Sequence, residues 1–174
     1  GGGRRVNAVL DTAKMKGTGS WTVKAGAEIA APIPTIASAV EARLMSGLHP
    51  LRQVAAKTLA GPEPQVAEAR EGLVEDARAA LYAAKIAAYA QGLDLLARAS
   101  GEHDWNLDLV EIARIWKGGC IIRARLLRWI QSAYRNHPEL ENLMLDPALA
   151  SELENRQARW RRTVARCIDH GIAA

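Results

Sequence analysis

Residues 70–99 constrain the fold more than any other stretch. Tyr82, Ile86, Tyr89, Leu93 and Leu96 recur at spacings of four and three, which is one face of an α-helix. Leu73, Ala77, Leu81, Ala84 and Ala88 form a second stripe beside it. A helix apolar over so wide an arc belongs at the centre of a bundle or against another chain. Alanine is abundant throughout and strand-like alternation is nearly absent. The fold class is therefore all-α, a multi-helix bundle.

Punctuation places the remaining helices. Residues 5–14 read as the end of a helix with Val6, Val9 and Leu10 on one face, and 22–30 as a second helix. Pro34 suits the first residue of a helix over 34–46, closed by Gly47, and another covers 50–60. A polar connection at 63–69 precedes the long helix. Asp104 and Asn106 are N-cap candidates for 107–117. Gly118-Gly119 then leads into a helix over 120–136, with Ile122, Leu126, Trp129 and Ala133 facing inward. Asp146 caps the last helix, on which Leu149, Leu153, Trp160, Val164 and Ile168 share a face until Gly171. The expectation is one domain over 4–174, with about eight helices. Gly1-Gly2-Gly3 reads as an appended remnant.

Apolar residues are 49% and charged residues 24%, a soluble globular balance. No window reaches the apolar length of a membrane span, and no start has a signal-peptide pattern. Cys120 and Cys167 lack metal-ligand spacing, which fits a reduced, cytoplasmic chain, a single disulfide between them being the other reading. A net charge of +4 suits an anionic metabolite or a nucleic acid.

The chemistry concentrates at Lys16-Gly17-Thr18-Gly19-Ser20-Trp21-Thr22. A cation, two glycines and three hydroxyls stand ahead of a helical pattern. Glycines let backbone N–H groups turn toward an anion, and the helix brings its positive dipole end. The other reading is a helix C-cap at Gly17 followed by an N-cap at Ser20, and spacing alone leaves both open. It is neither a nucleotide P-loop nor a dinucleotide fingerprint. Arg43 is a second cation for the same anion, or an arginine snorkelling from an apolar face.

Arg156, Arg159, Arg161, Arg162 and Arg166 surround Trp160. They read as a solvated face partly matched by Glu152 and Glu154, or as a nucleic-acid surface. Asp11, Glu28, Glu41 and Glu75 read as single surface carboxylates on helices. His49, His103, His137 and His170 have no partners at metal spacing, so no metal site is expected. No catalytic nucleophile system stands out.

Several ordered motifs carry a resemblance. Leu10-Asp11-Thr12-Ala13 leads into the glycine-bearing loop, followed by Ala39-Val40-Glu41-Ala42-Arg43. Ala80-Leu81-Tyr82-Ala83-Ala84-Lys85-Ile86 and Tyr89-Ala90-Gln91-Gly92 come next. Then come Ile115-Trp116-Lys117-Gly118-Gly119-Cys120-Ile121-Ile122-Arg123, Trp160-Arg161-Arg162 and Gly171-Ile172. In this order, over nearly the whole chain, they resemble the decarboxylating 6-phosphogluconate dehydrogenases of the oxidative pentose phosphate pathway.

The resemblance implies the all-helical domain that builds most of the family's homodimer interface. It implies an enzyme that oxidises 6-phosphogluconate with NADP, releases carbon dioxide and leaves ribulose 5-phosphate. It assigns Lys16 and Arg43 to the substrate phosphate, with Thr18 as a helper. It implies no catalytic and no cofactor-binding residue within this stretch, because the family's nucleotide domain and its lysine–glutamate pair lie upstream. A tail reaching into the partner's substrate site lies downstream. The chain is expected to be a truncated domain, inactive alone and prone to tight dimers or aggregation. Ser20 stands where the family usually has a second loop lysine, and Lys14-Met15 replaces a common Gly-Gln pair. The expected partners are 6-phosphogluconate and a second copy, not nucleic acid or membrane. The alternatives are a related β-hydroxyacid dehydrogenase for another phosphorylated sugar acid, or an all-α nucleic-acid-binding module.

Overall fold

A computed structural model describes residues 5–62 and 70–172. The expected remnant at 1–3 and the polar connection at 63–69 lie outside the described residues. Seven α-helices are present among those described, with no strand. They are α1 (Thr18–Glu28), α2 (Pro34–Gly47), α3 (His49–Thr58), α4 (Arg70–Glu102), α5 (Leu109–Ile115), α6 (Leu126–Asn136) and α7 (Pro147–Asp169). Short 3-10 turns occupy Arg5–Ala8 and Leu143–Leu145.

The 33-residue α4 is the axis of the fold. Ala83, Ile86, Ala90 and Leu93 form its buried seam. Ile86, Ala90 and Leu93 meet Ala113 of α5, Leu126, Leu127, Ile130, Ala133 and Tyr134 of α6, Leu143, and Leu149 of α7. Ile86, Leu93, Leu127, Ile130, Leu143 and Leu149 are fully enclosed. Each contributes about 1.5–3 kcal/mol relative to exposure. Desolvation in this core, with a smaller contribution from Asp94, pushes the Tyr134 phenol up to about 12.

The second α4 stripe is not enclosed by this chain. Leu73, Ala84 and Ala88 are half-buried, while Ala77 and Leu81 are exposed. Exposed Ile121, Ile122 and Trp129 add further uncovered apolar surface.

Three expected elements differ. The expected helix over 5–14 is only the 3-10 turn, followed by irregular chain; Val9 and Leu10 are exposed, and the Val6 side chain lies outside those described. Asp104 and Asn106 are not caps. Both take positive φ, of 55° and 51°, which short polar residues tolerate. Asp108 caps α5 instead, accepting from Val110 N and Glu111 N at 2.8 and 3.2 Å. Finally, residues 120–125 form turns and irregular chain, so α6 begins at Leu126 with a new helical phase. Its buried face is Leu126, Leu127, Ile130, Gln131, Ala133 and Tyr134. Ile122 and Trp129 therefore face outward.

The α7 expectation holds at its start. Asp146 accepts from Ala148 N and Leu149 N at 3.1 and 3.2 Å. Leu149 is enclosed and Leu153 packs beside the core, whereas Val164 and Ile168 are exposed.

A smaller apolar cluster joins the first helices to the axis: Ala31, Ile33 and Leu95, flanked by Val23, Ile29 and Ile36. Gly26 lets α1 come close, since a Cβ there would lie 2.7 Å from Ile33 Cδ1. Gln91 of α4 adds a polar anchor. Its Oε1 accepts from Thr35 N and Ile36 N at 3.0 and 3.3 Å, and its Nε2 donates to Thr35 Oγ1 at 2.9 Å. Those N–H groups are unsatisfied donors of the first turn of α2, so Gln91 fixes where α2 starts.

Candidate functional site

The glycine-bearing loop is the entrance to α1. Gly17 is the N-cap at φ 103° and ψ −39°, a conformation that suits glycine because it has no Cβ. Neither sequence reading is met in full. Irregular chain rather than a helix precedes Gly17, and the helix starts at Thr18, not Thr22. Ser20 is not the cap; its Oγ donates to Gly17 O at 2.7 Å. Thr22 Oγ1 donates to Thr18 O at 2.9 Å. Two of the three hydroxyls are thus turned inward, while Thr18 stands exposed at the first helical position. Lys16 is exposed just ahead of it. The free N–H groups and dipole of the first α1 turn lie beside these two side chains.

The fold brings Arg43 to the same loop. Gly19 of α1 sits against Val40 of α2, where a Cβ would approach Val40 Cγ2 to 3.0 Å. Arg43 follows Val40 by three residues, so the two share a helix face. Its Nε and Nη2 donate to Lys14 O at 3.1 and 2.9 Å. One edge of the guanidinium is thereby docked on the backbone two residues from Lys16, across 29 positions of sequence. This is neither an isolated snorkelling arginine nor a surface one without partners.

Other polar contacts hold the approach to the loop. Ala13 N donates to Ser46 Oγ at 3.0 Å, and Ser46 Oγ donates to Arg43 O at 2.7 Å. Arg52 of α3 donates to Asp11 Oδ2 at 2.9 Å and Asp11 O at 2.8 Å. His49 Nε2 lies 3.4 Å from Asp11 Oδ1. The hydrogen bond from Arg52 holds the Asp11 carboxyl below its ordinary range, with the charges of Arg52 and His49 assisting against desolvation. Asp11 lies in irregular chain and is paired, contrary to the expectation of a lone helical carboxylate. Sequence reasoning passed over Arg52 and Ser46, because no local signal links positions 41 and 33 residues apart.

The arginine helix is also partnered. Asp76 of α4 is buried and accepts a two-point fork from Arg162 at 3.1 and 2.9 Å. Arg166 donates to it at 2.7 Å, and Arg159 stands 3.9 Å away. The Arg162 hydrogen bond lowers the Asp76 pKa most, aided by the Arg166 bond and both charges against desolvation. Arg156 pairs with Glu152 at 2.8 Å and lies over the Tyr82 ring at 4.5 Å. Arg161 donates to Gln157 at 2.9 Å. The Asp76 contacts and Arg156 over Tyr82 bind α7 to α4, while the Glu152 and Gln157 contacts lie within α7. Asp76 was readable: it is in phase with Ala79, Ala80 and Ala83 on the buried stripe.

Among the described residues no group of three or more His, Cys, Asp or Glu could hold a metal, and both cysteines are free. No described helix is long and apolar enough to cross a membrane. What the loop offers is a pair of cations, one hydroxyl and a helix N-terminus, a set suited to a phosphate rather than to acid–base work.

Comparison with known proteins gives a consistent result. The model of the 6-phosphogluconate dehydrogenase C-terminal domain matches residues 2–174. The chain is 48% identical over 180 residues to chloroplastic decarboxylating 6-phosphogluconate dehydrogenase 1 of Arabidopsis thaliana, covering 99% of this chain and 37% of that protein. It is 45% identical over 172 residues to the decarboxylating enzyme of Synechocystis sp., covering 99% and 36%. Plasmodium falciparum 6-phosphogluconate dehydrogenase, solved in its apo form and in complex with NADP+ and with 6-phosphogluconate, superposes with a TM-score of 0.86 at 38% identity. That match covers 96% of this chain and 36% of the other. The chain thus spans little more than a third of the length of these relatives.

Proposed function

The chain belongs to the 6-phosphogluconate dehydrogenase family as its C-terminal helical domain, and from that membership we propose that it holds the phosphate of 6-phosphogluconate for an enzyme that oxidatively decarboxylates it to ribulose 5-phosphate. Lys16 supplies a point charge and Arg43 a planar fork, with Thr18 donating a hydroxyl hydrogen bond from the first turn of α1. The observation that carries this reading is the docking of Arg43 on Lys14 O, beside Lys16 and the α1 N-terminus.

On this reading the NADP site lies mostly outside this stretch. The glycine-bearing loop is not the strand–turn–helix fingerprint of a doubly wound dinucleotide domain: Gly17 and Gly19 follow irregular chain. The cofactor and the proton-transferring pair are assigned to the part of the enzyme beyond this match. A homodimer belongs to the same reading: Leu81, Ile121, Ile122 and Trp129 are apolar and exposed, the surface a two-fold interface would cover. Sedimentation of the complete enzyme as a monomer at micromolar concentration would remove that part. A cytoplasmic location also belongs to the reading, and fractionation against a plastid marker tests it.

The phosphate claim is tested in the complete enzyme carrying this domain. Lys16→Ala and Arg43→Ala should each raise KM for 6-phosphogluconate while KM for NADP holds. Losing one charge-assisted contact costs about 1.5–3 kcal/mol, or roughly 10- to 150-fold. An unchanged KM for the sugar acid in Lys16→Ala refutes the assignment.

A further inference from the structure

Arg52 touches neither Lys16 nor Arg43 through any bond described above, yet it anchors the chain that presents them. Its Nη1 donates to Asp11 Oδ2 and its Nη2 to Asp11 O, at 2.9 and 2.8 Å. Nη2 also reaches Ser46 O at 3.4 Å. Ser46 takes Ala13 N, and Arg43 takes Lys14 O. Three backbone groups within four consecutive residues, Asp11 O, Ala13 N and Lys14 O, are thus tied to α2 and α3. Arg52 accepts a penalty for the arrangement: its Nε is buried with no hydrogen-bond partner among the described residues.

Apolar packing does not do the same work there. No residue of α2 or α3 is buried, and Asp11, Ala13, Lys14 and Lys16 are exposed. The polar ties therefore set, together with the Gly19–Val40 contact between α1 and α2, where Lys16 stands relative to Arg43. Resting on the phosphate-site reading, we infer that Arg52, acting through Asp11, is a positioning residue for phosphate binding: it sets the spacing of the two cations without touching the ligand. An error of an ångström in such a pair removes the simultaneous contact that makes a two-cation site effective.

The experiment uses the complete enzyme and four variants: Lys16→Ala, Arg52→Met, Asp11→Asn and Lys16→Ala/Arg52→Met. The readouts are KM for 6-phosphogluconate, kcat, KM for NADP and competitive inhibition by inorganic phosphate. Arg52→Met should raise KM for the sugar acid about ten-fold and weaken phosphate inhibition by a similar factor, with kcat and KM for NADP within about two-fold. Asp11→Asn should shift the same two readouts in the same direction. On the Lys16→Ala background, Arg52→Met should add less than about two-fold, because both changes remove one interaction.

If Lys16→Ala raises KM and Arg52→Met does not, the positioning role is wrong and the phosphate site stands. If the two effects multiply in full, Arg52 does not act through Lys16 and the inference fails. If Lys16→Ala leaves KM unchanged, the phosphate reading fails and takes this inference with it. Should Arg52→Met fail to fold, Asp11→Asn carries the same thresholds, alone and combined with Lys16→Ala.

Discussion

The body around α4 and the lobe formed by residues 9–60 are built on different interactions. The body encloses side chains from α4, α5, α6, α7 and the Leu143–Leu145 turn in one apolar core. In the lobe, among the described residues, only Gly26, Ala31 and Ile33 are buried. Leu44, Met45, Leu48, Leu51 and Val54 of the lobe are half or more exposed. There polar ties through Arg43, Ser46, Arg52 and Gln91 supplement one small apolar cluster around Ala31, Ile33 and Leu95. The candidate phosphate residues all lie in the lobe. A site on a thinly packed element depends on directional bonds for its geometry, and such bonds fail abruptly when one partner is removed. A core loses stability in proportion to the volume deleted.

The largest expected effect is in the body. Leu127 is fully enclosed at the centre of the core, and Leu127→Ala should cost about 3 kcal/mol in urea unfolding. Its effect on KM for 6-phosphogluconate should be small as long as the protein stays folded. A large, selective KM change would show that body and lobe are not energetically separate.

Next comes the seam between them. A methyl at Gly26 would lie 2.7 Å from Ile33 Cδ1 and 3.0 Å from Cγ1. Ile33 is itself buried against Leu95, so it has little room to yield. Gly26→Ala should cost about 1–3 kcal/mol through overpacking. Hydrogen exchange should quicken in α1 more than in α6. Equal quickening in both helices would mean that the lobe unfolds together with the body.

A smaller effect isolates one polar contact of the body. Asp146 satisfies two first-turn N–H groups of α7, and Asp146→Ala should cost about 1 kcal/mol. A loss near that of Leu127→Ala would place the body, like the lobe, under polar control.

The two regions also differ in how plainly the sequence announced them. The α4 seam was legible because Ile86 and Leu93 repeat at helical spacing within one element. The outward turn of Trp129 was not. Predicting it required knowing that Gly118-Gly119 is followed by turns, which reset the helical phase at Leu126. Lys16, Thr18 and Arg43 are candidates that the family resemblance singles out, and the structure adds the contact between Arg43 and the chain ahead of the loop. The Asp11–Arg52 tie was illegible, since ion pairs across 41 residues have no period and no local pattern.

The subtlest difference is expected in acid. Asp11 and Asp76 are each held below the ordinary carboxylate value by a hydrogen bond from arginine, Arg52 in the lobe and Arg162 in the body. A carboxyl with a lowered pKa in the folded state stabilises the fold fully above its unfolded value of 3.8. That contribution is lost as the pH falls through the lower folded value. Asp76 joins α7 to α4, so its protonation weakens the body. Asp76→Asn should therefore lower stability at neutral pH and make the acid limb of the stability curve shallower, the two proteins converging below the folded pKa. Asp11 ties chain of the lobe to α3, so its contribution is lost with the lobe's own opening: Asp11→Asn should flatten the acid dependence of hydrogen exchange in α1, leave the acid limb of the body unchanged, and remove the titration of the Asp11 carboxyl below 3.8 from the NMR spectrum. A shallower acid limb in Asp11→Asn would couple the lobe ties to the core and erase the distinction between the two regions.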